Sequence, residues 1–187
     1  MCKIYRPIEI AFLVVILMIT NACNNTEKQK QGIQQVEPSG RTGLNIGDTA
    51  PSFSHTDLSG DTIVLEDFKD DVVLLYFWAS WCPNCKRTNP KLADLYRNYH
   101  DKALASGGNF EIISISLDDN NEAWRKIADD ELPWDIHISD NNEAIAVTAA
   151  MYQVMAIPHS LLLAPGNVIV AKNKKPAALA EILQQMR

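Results

Sequence analysis

Val72-Val-Leu-Leu-Tyr-Phe-Trp78-Ala-Ser-Trp-Cys82-Pro-Asn-Cys85 decides the fold. Its first seven residues form a continuous β-branched and aromatic run, the pattern of a strand buried on both faces. From Pro83 to about Leu104 the apolar residues fall at helical spacing through Leu92, Leu95 and Tyr99, with Pro90 expected to kink the segment. The junction therefore places two cysteines at the start of a helix. There, unpaired backbone N–H groups and the positive end of the helix dipole favour thiolate over thiol. Pro83 at the first helical position forfeits no hydrogen bond, because that N–H would be unpaired anyway. Cys85, one turn on, returns to the same face. The spacing assigns Cys82 as attacking thiolate and Cys85 as resolving thiol.

Outward from this junction, strands and helices alternate. Upstream, Ser52–Thr56 and Thr62–Leu65 flank a Ser59-Gly60 turn and read as a β-hairpin. Downstream come a second buried strand at Phe110–Leu117, a helix from about Glu122 carrying Trp124, and a short extended piece at Trp134–Ile138. A helix over Glu143–Tyr152, a hairpin of Ser160–Leu163 with Val168–Ala171, and a closing helix over Pro176–Gln185 complete the order. The expected class is an α/β three-layer α/β/α sandwich with a mixed sheet and an added N-terminal β-hairpin.

The chain has 187 residues, enough for one domain after a targeting segment is set aside. Formal net charge is −6, with no basic stripe, which excludes a nucleic-acid partner. Lys3 and Arg6 precede the apolar run Ile10–Ile19, whose ten residues rise about 15 Å as a helix, half of a ~30 Å hydrocarbon core. That is signal-peptide length rather than a permanent span. Thr20-Asn21-Ala22-Cys23 resembles a bacterial lipoprotein signal, in which the cysteine is lipidated, although Thr20 stands where leucine is usual. The expected organisation is a signal at 1–22, a flexible tether over 23–45 from lipidated Cys23, and a folded domain over 46–187. About twenty coil residues give the tether a reach on the order of 25 Å. With Cys2 removed and Cys23 lipidated, only Cys82 and Cys85 remain in the domain. Two residues apart, they close almost no loop, so their presence points to reactivity rather than stapling.

Other chemistries compete for the pair. A structural zinc would need two further ligands from His55, His100, His137 or His159, none of which has paired ligand spacing. Cys82, Cys85 and His159 could hold a soft cation such as copper(I), the reading of a metal-handling module. A peroxiredoxin-type thiol peroxidase would place threonine three residues before the reactive cysteine, where Ala79 stands.

Trp78-Ala-Ser-Trp81-Cys-Pro-Asn-Cys85-Lys86 resembles the thioredoxin active-site segment, and the resemblance runs from about Gly47 to the C-terminus. Gly47-Asp48-Thr-Ala-Pro51-Ser-Phe53, Ile115-Ser-Leu117-Asp118, the helix with Trp124 and Ile157-Pro158-His159 are similar to the TlpA/ResA-like, membrane-anchored branch. The resemblance implies a thioredoxin-like fold and a thiol–disulfide oxidoreductase needing no cofactor beyond a redox-active Cys82–Cys85 disulfide. It implies that Pro158 is a cis-proline facing the pair, that the backbone of Ile157 receives an extended substrate segment, and that Trp81 flanks the reactive sulfur. It also implies envelope proteins as substrates, a membrane electron donor, a periplasmic lipid-anchored location, and reduction rather than oxidation; a monomer is expected. Two departures stand out. Thioredoxins carry a buried acid where this chain has Tyr76, and many ResA-like reductases carry glutamate where it has Thr88. Either acid would manage the proton of Cys85, and His159 is the candidate replacement. Trp124 and Trp134 read as packing residues, His55, His100 and His137 as surface or strand-edge positions, and Asp118-Asp119 as the end of a strand entering a turn.

Overall fold

The computed structural model describes residues 36–105, 108–119, 121–139 and 143–187. The signal and Cys23 lie outside them. Seven strands and four helices follow in order: β1 (Ser54–Thr56), β2 (Thr62–Val64), β3 (Val72–Trp78), α1 (Pro83–Tyr99), β4 (Phe110–Ser116), α2 (Asn121–Glu131), β5 (Ile136–Ile138), α3 (Glu143–Met151), β6 (His159–Ala164), β7 (Val168–Lys172) and α4 (Pro176–Gln185). A 3₁₀ turn at Leu65–Phe68 ends the N-terminal hairpin.

The central sheet has the order β5-β4-β3-β6-β7. β3 runs parallel to β4, and β4 to β5, whereas β6 is antiparallel to both β3 and β7. The mixed sheet and the separate antiparallel β1–β2 hairpin are those expected from the alternation of elements. Every residue of β3 is buried, as an uninterrupted apolar run requires of a central strand. Its alternate residues feed two cores. Leu74, Tyr76 and Trp78 pack with Leu92, Leu95 and Tyr96 of α1, Trp124 of α2 and Leu179 of α4. Val73, Leu75 and Phe77 pack with Phe53, Leu65, Ile145 and Tyr152 on the other face. Helix–sheet–helix layering follows from that alternation.

Several expectations are refined. α1 ends at Tyr99 rather than near Leu104, and its last carbonyls are closed by the His100 N–H bonding Tyr96 O at 2.8 Å. Trp124 and Trp134 are indeed core residues. His55 and His137 sit on short strands of the hairpin and the sheet edge, but both are buried, correcting the surface reading. His55 is covered by α3, whose Thr148 Oγ1 lies 2.8 Å from Nε2, and His137 Nδ1 lies 2.7 Å from Ser114 Oγ. Part of the stretch assigned to the tether is tied to the domain. The Ser39 N–H bonds Gly47 O at 2.7 Å, the Gly43 N–H bonds Thr49 O at 3.0 Å, and Lys172 Nζ reaches Leu44 O at 2.9 Å. Asp48 gathers this turn, accepting from Ser39 Oγ and from the Asn45 N–H, and those bonds hold its carboxyl below the usual range. Gly47 makes the bend at φ +92°, a region that side chains with a Cβ avoid.

Candidate functional site

β3 delivers the chain to the site at its C-terminal end. Ala79 and Ser80 turn out of the strand, Cys82 becomes the N-cap of α1, and Pro83 occupies its first turn. Cys82 has extended backbone (φ −81°, ψ 111°), and its Sγ accepts the N–H of Cys85 at 3.1 Å. In other helices a serine or aspartate oxygen fills this role. Once the pair is reduced, the Cys85 N–H and the positive end of a 17-residue helix favour charge on a sulfur held there. Cys82 and Cys85 form a disulfide with Cα atoms 5.2 Å apart. Cys82 keeps 3 % of its surface exposed and Cys85 none, so only the first sulfur is open to attack from outside.

The opposite wall comes from the N-terminal end of β6. The Ile157–Pro158 peptide is cis, and Ile157 O lies 3.8 Å from Cys82 Sγ. This carbonyl borders the sulfur. Trp81, 63 % exposed, and Met155, 92 % exposed, stand on the two segments that meet at the disulfide and expose apolar surface there. Tyr76, Thr88, Pro158, Ser160, Lys174 and Lys175 help line a cleft of about 150 Å³. The two positions lacking the expected acids therefore share one cavity beside the cis-proline. Thr88 Oγ1 donates to Asn84 O at 2.9 Å, and Tyr76 donates to Asn89 Oδ1 at 2.8 Å. Burial drives the Tyr76 hydroxyl far above its ordinary range, so it remains a phenol at physiological pH.

His159 is placed differently from Pro158. It pairs with Phe77 in the β3–β6 register, and its ring meets Phe77 edge-on at 6.0 Å. Phe77 belongs to the core on the face opposite the one holding Cys82 and Cys85. Burial, then Lys172, lowers the His159 pKa, and no hydrogen-bond partner reaches its Nε2. The sequence order thus brings together Cys82, Cys85, Trp81, Pro83, Ile157 and Pro158, while His159 turns to the other layer. Among the described residues no group of three His, Cys, Asp or Glu side chains could hold a metal ion.

One group escaped the sequence reading. Asp118 lies two residues past the end of β4, and its side chain is buried (5 % exposed) and bound to the loop preceding Cys82. Oδ2 accepts the Ser80 N–H at 2.7 Å and Ser116 Oγ at 2.7 Å, and Oδ1 accepts Ser80 Oγ at 2.6 Å. The available signal was Ser116-Leu-Asp118, a polar pair following an apolar strand parallel to the one that leads to the cysteines.

A family model described as thioredoxin-like matches residues 70–169. The thiol-disulfide oxidoreductase ResA of Bacillus thuringiensis subsp. konkukian is 31% identical over 132 residues, 70% of each chain. The thioredoxin-like protein YneN of Bacillus subtilis is 34% identical over 128 residues, 68% of this chain and 70% of that one. Among solved structures, a thiol-disulfide oxidoreductase from Bacteroides fragilis superposes with a TM-score of 0.64 at 32% identity, covering 75% of this chain and 100% of that one. The thioredoxin domain of a thiol-disulfide oxidoreductase from Bacteroides vulgatus gives a TM-score of 0.65 at 29% identity, covering 76% and 98%.

Proposed function

This chain belongs to the thioredoxin-like, ResA/TlpA-like thiol-disulfide oxidoreductases, and from that premise we propose that it reduces disulfides of cell-envelope proteins from an extracytoplasmic, lipid-anchored position. The observation that carries the reading is Cys82 Sγ, held by the Cys85 N–H on one side and bordered by the Ile157 carbonyl before a cis-proline on the other. With the pair reduced, the Cys82 thiolate attacks one sulfur of a substrate disulfide. A mixed disulfide forms and the other substrate sulfur leaves as thiolate. Cys85, deprotonated, then attacks Cys82 Sγ, releasing the second substrate thiolate and restoring Cys82–Cys85. Two electrons pass to the substrate, and a membrane electron donor returns them. Ile157 supplies backbone pairing to an extended substrate segment, with Trp81, Pro83 and Pro158 shaping the surface.

The likeness of Thr20-Asn21-Ala22-Cys23 to a lipoprotein signal, after the short apolar run Ile10–Ile19, is what supports the location. Direction is tested by equilibrating the pair in glutathione buffers. A potential near or below about −270 mV supports a reductant, and one near about −120 mV makes it an oxidant. Cys85→Ser in cells should trap mixed disulfides with envelope proteins, and Cys23→Ser should abolish labelling by a fatty-acid analogue.

A further inference from the structure

The loop from β3 to α1 carries both Trp81 and Cys82, yet it contains only three residues before the helix cap. Within it the Cys82 N–H bonds Ala79 O at 3.2 Å. What fixes the loop to the sheet is Asp118. Its two oxygens accept both hydrogen-bonding groups of Ser80 and the hydroxyl of Ser116, and its own N–H bonds Ser116 Oγ at 3.1 Å. The neighbouring Leu117 N–H bonds Trp78 O at 2.8 Å, so β4 grips the end of β3 on both sides of Ala79. Each donor to the carboxylate is neutral, and both Ser80 and Asp118 are buried. A buried carboxylate facing only neutral donors is expensive unless all its bonds are made.

We propose that Asp118 is a positioning residue for the nucleophile: its clamp on Ser80 sets the placement of Cys82 Sγ against the Cys85 N–H and of Trp81 beside it. This rests on the oxidoreductase reading for its purpose, though not for its geometry. The alternative is a purely structural knot between two strands. The two differ at the sulfur, because thiolate stabilisation depends on Sγ sitting at the helix cap.

The substitutions have distinct expected effects. Asp118→Ala removes every acceptor and frees the loop. Asp118→Asn keeps most of the clamp, because its oxygen can serve Ser80 N and Ser116 Oγ while its amide donates to a rotated Ser80 hydroxyl. The experiment measures iodoacetamide alkylation of Cys82 against pH in the reduced full-length protein, together with thermal unfolding. Asp118→Ala should shift the alkylation profile upward by about one pH unit, Ser80→Ala should shift it less in the same direction, and Asp118→Asn should stay near wild type. Ser114→Ala, which breaks a buried contact from β4 to His137 of β5, should lower the melting temperature and leave the profile in place. The proposal is overturned if Asp118→Ala and Ser80→Ala leave the profile unchanged, or move it downward as loss of a nearby negative charge would. It is equally overturned if Asp118→Asn matches Asp118→Ala, which would assign the effect to charge. If Asp118→Ala does not fold, the Ser80→Ala and Asp118→Asn profiles decide by the same criteria. Alkylation needs no protein substrate, so failure of the oxidoreductase reading would appear separately, as absent disulfide turnover in the wild type.

Discussion

Tyr76 donates a 2.8 Å hydrogen bond to Asn89 Oδ1, joining the middle of β3 to the second turn of α1 inside the core. Tyr76 stands at the position where the resemblance to thioredoxins implies an acid. Tyr76→Phe removes the donor and leaves a buried acceptor empty, so stability should fall by about 1–3 kcal/mol in urea unfolding. Because the hydroxyl does not ionise at physiological pH, the pH–rate profile of disulfide reduction should stay where it is. A displaced profile would show that Tyr76 takes part in proton transfer.

Thr88 borders the same cleft from the helix side. Thr88→Glu would place a carboxylate there, with Lys174 and Lys175 on the opposite wall. If proton removal from Cys85 limits release of the mixed disulfide, single-turnover release should quicken by about tenfold on the acid side of neutrality. An unchanged release rate would place the limiting step elsewhere.

Trp81 and Met155 expose apolar surface on the two chain segments that meet at Cys82. Removing either should weaken docking of a substrate segment without altering the sulfur. Trp81→Ala and Met155→Ser should each raise KM for a protein disulfide by about five- to tenfold, equivalent to roughly 1 kcal/mol of apolar contact. Reduction of a small linear disulfide such as oxidised glutathione should be little changed, and an equal loss on both substrates would overturn the assignment.

His137 and His159 are both depressed in pKa, His137 chiefly by burial and His159 by burial and then Lys172. In each case the folded form stays neutral at a pH where the unfolded chain takes up a proton near its ordinary value of about 6.5. The unfolded state therefore binds more protons, and stability falls as pH drops from about 6.5 toward the folded values. The urea midpoint should be lower at about pH 5.5 than at about pH 7.5. In His159→Gln the fall should be smaller, and an identical fall would remove His159 from the account.

How much of this could be read in advance depended on how local the cause was. β3, α1 and α4 declare themselves through an unbroken apolar run, a cap and a proline at a helix start, all set by neighbours along the chain. The cysteine pair and Ile157-Pro158 were legible because their chemistry is carried by residue type. The Asp118–Ser80 clamp joins residues 38 positions apart across adjacent strands, and nothing in Asp-Asp at the end of β4 says which loop it will hold. The burial of His55 and His137 arises from tertiary packing: Thr148 of α3 meets His55, while Trp134 and Ser114 enclose His137. His159 was assigned by its nearness to Pro158, but successive residues of a strand face opposite layers, and one step along β6 carries it away from the sulfurs.

The contact between Cys82 Sγ and the Ile157 carbonyl spans 75 positions of the chain. β6, which follows that carbonyl, comes in the chain after β4, α2, β5 and α3. A chain synthesised as far as α1 would hold two thiols at a nascent helix cap with no opposing wall to select what approaches them. Selectivity therefore depends on a segment synthesised well after the reactive pair, so the cysteines exist in the growing chain before the wall that sorts their partners.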